Sequence, residues 1–127
     1  MMYSRGIRGA ITVENDTPES IEKAAVELFG KIIKSNDVDT KDISHVIFTM
    51  TKDLKNSFPA KFIRRNFDIQ YVPLLCVNEM DIEPSLKKCL RMLVVVNTEK
   101  EQNEIKHIYL GGAKILRSDL ANEPAQK

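Results

Sequence analysis

Apolar positions recur along this chain with two different periods, and the switches between them mark out strands and helices. Residues 4–14 alternate loosely around Ile7, Ala10, Ile11 and Val13. That pattern predicts a strand, with Gly6 and Gly9 marking a bulge or a close backbone approach. Thr17-Pro18 supplies an N-cap hydroxyl followed by proline at the first helical position. From there Ile21, Ala24, Ala25, Leu28, Phe29, Ile32 and Ile33 fall at helical spacing, so one apolar stripe runs to about Ser35. Asp39 to Asp42 reads as a turn or a short helical start. His45–Met50 is a β-branched strand. Pro59 opens a short helix through Phe67, with Ala60, Ile63 and Phe67 facing inward. Tyr71–Val77 is a strand, and Pro73 removes a ladder donor, which puts it at an edge or a bulge. Glu83-Pro84-Ser85 reads as the start of a short helix through Leu90. Residues 91–98 contain the most hydrophobic run in the chain, Met92 to Val96, and are expected to be buried on both faces. Lys106–Leu110 is a further strand, broken or bent by Gly111-Gly112. Ala113–Arg117 continues it or runs extended.

The predicted order is therefore β-α-β-α-β-α-β-β. It places the chain in the α/β class: a mixed sheet with helices on one face. The second face of such a sheet needs a cover, and a small domain with several apolar strands often finds one by oligomerising. One domain is expected over residues 1–120, followed by a mobile polar tail, 121–127.

Composition narrows the function. The 127 residues are 43% hydrophobic and 29% charged, as in an ordinary soluble domain. Nineteen Lys+Arg stand against 18 Asp+Glu, a net charge of +1, so a nucleic-acid partner, which requires a basic stripe, is not expected. No run approaches the roughly 18 apolar residues of a membrane span, and no apolar segment follows Met1 to suggest a signal peptide. A cytoplasmic location is expected, with Cys76 and Cys89 reduced. No zinc-ligand spacing occurs, Gly111-Gly112-Ala113-Lys114 lacks the spacing of a phosphate loop, and Asp37-Val38-Asp39 begins like a calcium loop without completing one.

The arginines carry more information than the net charge. Of six, five lie in or beside apolar segments: Arg5, Arg8, Arg64, Arg91 and Arg117. Arg91 opens the most hydrophobic strand, where a permanent charge needs a partner anion. That partner is either a structural carboxylate (Glu79, Asp81 or Glu83) or a bound ligand. Arg8, Arg64 and Arg117 add bidentate donors near element ends, where pockets form. Lys61, Arg64 and Arg65 share one side of the short helix; Arg65 reads as a solvated charge, Lys61 and Arg64 as an entrance that draws in anions. Cys76 lacks the neighbours that activate a thiolate. It is either a small core residue or, with Glu79, a hydrogen-bond partner for a hydroxyl. Tyr109 is either an ordinary half-buried tyrosine or a phenol reaching an anion. The residues alone define a small anion-binding α/β domain, leaving an enzyme and a ligand sensor both open.

In combination these segments resemble a known family. Arg5-Gly6-Ile7-Arg8-Gly9-Ala10 with Thr12-Val13-Glu14, Phe58-Pro59-Ala60-Lys61, Tyr71-Val72-Pro73 with Cys76 and Glu79-Met80-Asp81, Leu86-Lys87-Lys88-Cys89 with Arg91, His107 and Tyr109, and Leu116-Arg117 are together similar to the AroH class of chorismate mutase. The resemblance covers about residues 3–120. It implies a homotrimeric pseudo-α/β barrel with active sites between subunits, conversion of chorismate to prephenate by an intramolecular Claisen rearrangement on the route to Phe and Tyr, and no metal or cofactor. It further implies that Arg91 faces the ether oxygen and a carboxylate, and that Glu79, with Cys76 beside it, binds the ring hydroxyl. Arg8 and Tyr109 would hold a carboxylate, and Arg117, Arg64 and Lys61 would lie at the mouth. Phe58, Ala60, Leu74 and Leu116 would form apolar walls, with residues 75–79, including Leu75, Val77 and Asn78, giving backbone contacts. Two positions depart from the family pattern: Leu75 replaces a threonine, and Gly111-Gly112 replaces a more charged pair. A trimeric sensor of a carboxylate metabolite is the alternative. Glu79 argues against it, because an anion in a pure carboxylate pocket repels the ligand.

Overall fold

The computed structural model describes residues 1–116; Arg117 and the tail, including 121–127, lie outside the described residues. Five strands form one mixed sheet: β1 (Tyr3–Thr12), β2 (Ile43–Met50), β3 (Leu74–Asn78), β4 (Cys89–Thr98) and β5 (Ile108–Leu110). Their spatial order is β3-β2-β4-β1-β5. The central strand β4 runs antiparallel to both β1 and β2, while the outer strands β5 and β3 run parallel to β1 and β2. Two helices, α1 (Pro18–Ser35) and α2 (Pro59–Asn66), cover one face.

The covered face is the core. Ile7, Ile11, Val46, Phe48, Leu90, Met92, Val94 and Val96 from the strands meet Ile21, Leu28, Phe29 and Ile32 of α1 and Phe62 and Ile63 of α2. α1 begins as the sequence requires: the Thr17 side chain accepts a hydrogen bond from the Ser20 amide, and Pro18 occupies the first turn. It lies so close to β1 that a Cβ at Gly9 would sit 2.6 Å from Ile32 Cδ1. Any larger residue would force the Ile32 and Leu28 side chains to shift, so Gly9 is the expected close approach. At the far end of α1, buried Asn36 donates to the Ile32 and Lys106 carbonyls and accepts from the Lys106 amide. It thereby ties the approach to β5 onto the helix. Leu74 opens β3 one residue after Pro73, and β3 is an edge strand as expected.

Three expectations are corrected. Residues 83–90 form no helix; they run as an irregular loop into β4. Asp53 accepts the Lys88 amide with both carboxylate oxygens, and Lys88 takes a positive φ of 47°. Tertiary anchoring and sheet pairing from Cys89 onward override a short, weakly periodic helical signal. Ala113 does not extend β5. Gly111, at φ 60°, turns the chain into a 3-10 helix, Gly111–Ile115, anchored by the Gly112 amide on Thr12 Oγ1. Finally, residues 91–98 are buried on one face only: Met92, Val94 and Val96 are buried, whereas Arg91, Leu93 and Val95 are half-buried. Among the described residues no α-helix covers the second face of the sheet, only the short 3-10 helix packs at one end of it, and a cleft forms there.

Candidate active site

The strand register builds that cleft. Across the uncovered face, Tyr109 pairs with Ala10, Ala10 with Arg91, Arg91 with Thr49 and Thr49 with Val77, one residue from each strand. The next row holds Arg8, Leu93, Ile47 and Leu75. The hollow over these rows has a volume of about 350 Å³, and its lining includes Arg8, Ala10, Ile47, Thr49, Glu79, Arg91, Leu93 and Tyr109. Ala10 is the small residue in the first row, so Arg91 and Tyr109 face one another over a shallow floor. Cys89, Ala113 and Leu116 pack with Ala10 and Tyr109 and close one end.

Two polar atoms in this hollow are buried without a hydrogen bond to any described residue: Arg91 Nε and Tyr109 Oη. An unmet buried donor costs about 1–3 kcal/mol, so such atoms are explained by a ligand that meets them. The Arg91 partner among the sequence candidates is Glu79, whose Oε2 lies 3.5 Å from Nε. That distance balances charge but is long for a good hydrogen bond. Asp81 is instead paired with Lys52 at 2.8 Å. The other Glu79 oxygen, Oε1, accepts a hydrogen bond from Thr49 Oγ1. Two guanidiniums and one carboxylate line the hollow, leaving one positive charge in excess. The arrangement can hold a small anion and present a fixed donor and a fixed carboxylate to it.

The remaining candidates gather elsewhere. Leu74 and Cys76 lie on the helix face of β3, packed against the core, opposite the cleft. Burial pushes the Cys76 thiol up, outweighing the Ala60 amide and the nearby Arg64 charge that pull it down. Burial likewise pushes up the Cys89 thiol, against the pull of Arg91. Neither sulfur is primed as a nucleophile. Ala60 is buried, whereas Lys61, Arg64 and Phe58 are exposed along α2 and its approach, Phe58 to 71%. Phe58, Cys76, Val77 and Asn78 border a second hollow of about 330 Å³, which shares only Thr49 with the first among its lining residues. Leu75 and Val77 sit on the uncovered face and are 58% and 42% exposed. Within one chain, then, Arg8, Glu79, Arg91, Tyr109 and Leu116 come together, and Phe58, Ala60, Lys61, Arg64 and Cys76 form a separate group. Arg65 is paired with Glu22 at 2.7 Å. Arg5 is structural: it stacks on Tyr3 and donates to the Lys100 carbonyl.

Sequence reasoning passed over Thr49, Ile47 and Leu93. The available signal was the alternation of β2, which sends Thr49 to the face opposite buried Val46 and Phe48 and leaves a hydroxyl at the end of the apolar run Val46–Phe48.

A small mixed-sheet domain with helices on one face and an arginine-lined anion cleft on the other defines the class. Residues 4–120 match the family described as chorismate mutase type I, and the chain belongs to that family. It is 43% identical over 120 residues to the chorismate mutase AroH of Bacillus subtilis (strain 168), covering 94% of each chain. It is 44% identical over 117 residues to chorismate mutase AroH of Thermus thermophilus, covering 91% of this chain and 95% of that one. Among solved structures, a chorismate mutase from Clostridium thermocellum superposes with a TM-score of 0.84 at 41% identity, over 87% of this chain and 98% of that one.

Proposed function

We propose that this protein is a chorismate mutase, converting chorismate to prephenate by an intramolecular rearrangement in aromatic amino-acid biosynthesis. The observation that carries the reading is the pair of unsatisfied buried donors, Arg91 Nε and Tyr109 Oη, facing the same cleft beside an anchored Glu79. In the reaction an ether C–O bond breaks as a C–C bond forms, with no proton transfer and no nucleophile. The protein's task is to hold a flexible dicarboxylate in a compact shape and to stabilise the charge separation.

Arg91 is the donor aimed at the ether oxygen, where negative charge grows. A preorganised charged donor is the efficient stabiliser of such charge. Glu79 takes the ring hydroxyl and favours the electron-poor ring. Arg8 and Tyr109 hold a carboxylate. The group on α2 and β3 (Phe58, Ala60, Lys61, Arg64, Leu74, Leu75, Cys76, Val77 and Asn78) completes the site from a second copy in a homotrimer that closes as a pseudo-α/β barrel. The separation of the two groups within one chain supports this, as do Leu75, Val77, Met80 and Ile82, large apolar side chains left exposed. Leu116 borders the mouth. Metal and cofactor are not required by this chemistry. Among the described residues, no helix is long and apolar enough to cross a membrane.

The test is the loss of chorismate's ultraviolet absorbance on adding purified protein in buffer containing a chelator. Rapid, saturable loss with prephenate as product is expected. A folded protein that binds chorismate without consuming it would overturn the assignment.

A further inference from the structure

We propose that Thr49 is a positioning residue that keeps Arg91 open for substrate by holding Glu79 away from it; this rests on the mutase reading. Glu79 lies one residue past the end of β3, so the sheet does not fix its side chain. Its nearest opposite charge is Arg91, 3.5 Å away. A free carboxylate at that distance gains by closing onto the guanidinium as a bidentate pair. Arg91 would then be saturated by its own protein and have little left to offer a developing oxyanion.

Thr49 prevents that closure. It stands directly opposite Arg91 in the β2–β4 register, and its hydroxyl donates to Glu79 Oε1. A β-branched side chain in a strand has a stiff χ1, so the direction of that hydroxyl is set by the backbone. One carboxylate oxygen is committed to Thr49, and the other is left beside Arg91 Nε without closing on it. Thr49 is half-buried and is the residue shared by the linings of both hollows, so it stands between them.

Steady-state kinetics on the full chain test this with Thr49→Val, Thr49→Ser, Glu79→Ala and the Thr49→Val/Glu79→Ala double variant, with melting temperatures recorded alongside. Valine keeps the shape and removes the donor. It should lower kcat about tenfold or more, near the low end for a hydrogen bond to a charged group, with a smaller change in KM. Serine, which restores the donor, should recover activity to within a few-fold. In the Glu79→Ala background the valine substitution should cost almost nothing, because its effect runs through the carboxylate. An active wild type with an equally active valine variant overturns the proposal alone. Equal impairment by valine and serine, or a valine penalty that persists without Glu79, makes Thr49 a packing residue and also overturns it. A wild-type chain without mutase activity overturns the mutase reading itself and this proposal with it.

Discussion

Two threonine–carboxylate pairs lie two residues apart on the same stretch of chain, and they serve different ends. Thr51 Oγ1 donates to Asp53, and Asp53 also accepts the Lys88 amide with both its oxygens, while Thr51 itself accepts the Cys89 amide. That carboxylate is fully employed, and it welds the β2–α2 loop to the entry of β4. Thr49 donates to Glu79 in the same way, but the second oxygen of Glu79 faces a guanidinium it does not bond well. The lesson is one of saturation. A carboxylate whose acceptors are all met builds structure, and one held by half its capacity beside an unmet cation is set for a ligand.

The strongest way to break this contrast is Arg91→Lys. The charge stays and the forked geometry goes, so kcat/KM should fall by about 3–4 kcal/mol in transition-state stabilisation, with little change in melting temperature. Arg91→Ala should fold as well. If its melting temperature collapsed, Arg91–Glu79 would be a structural pair like that of Asp53. The opposite pattern is expected of Asp53→Ala: a stability loss of about 1–3 kcal/mol by denaturant titration, as the Lys88 amide and the Thr51 hydroxyl lose their acceptor, with the turnover of the folded protein nearly intact.

A pH series sharpens the same point with a smaller effect. Burial pushes the Asp53 carboxyl up, but the Thr51 hydroxyl and the Lys88 amide outweigh it and hold the group below its usual value of 3.8. The folded state therefore binds that proton less readily than the unfolded state, and the stabilisation is present above the unfolded pKa and lost as pH falls through the folded one. The stability gap between wild type and Asp53→Ala should be constant from neutrality down to about pH 5 and should narrow below about pH 4. A gap that widened on acidification would refute the assignment. Cys76→Ser should have the smallest effect, a change in kcat/KM and stability of about 1 kcal/mol or less, since its thiol is pushed up rather than activated.

Much of this was legible from residue types alone. α1 carried its own cap, proline and stripe, and Gly9 marked a close approach or a bulge without saying which element would rest on it. Arg91 could be singled out because a permanent charge at the head of an apolar strand demands an anion. The supposed helix over 83–90 failed because its signal was local, while the outcome was decided by Asp53, more than thirty residues away in sequence. The same applies to Thr49. Its role depends on which residue stands across from it in the register, and a single sequence does not state strand pairing. The division of the candidates into two groups was equally hidden, since Cys76 and Glu79 are near in sequence yet the pleat of β3 turns Cys76 toward the helices.

The register of β1 against β4 has one more consequence. Strand neighbours alternate faces, so Arg8 and Ala10 look into the cleft while Gly9 between them looks at α1. A slip of a single residue would exchange those faces along β1. It would press the Arg8 guanidinium under Leu28 and Ile32 and leave the hollow without one of its two arginines and without its floor. The error that would empty the cleft is the same one that would unseat the helix, so β1 reaches its folded place only with Arg8 and Ala10 turned to the cleft.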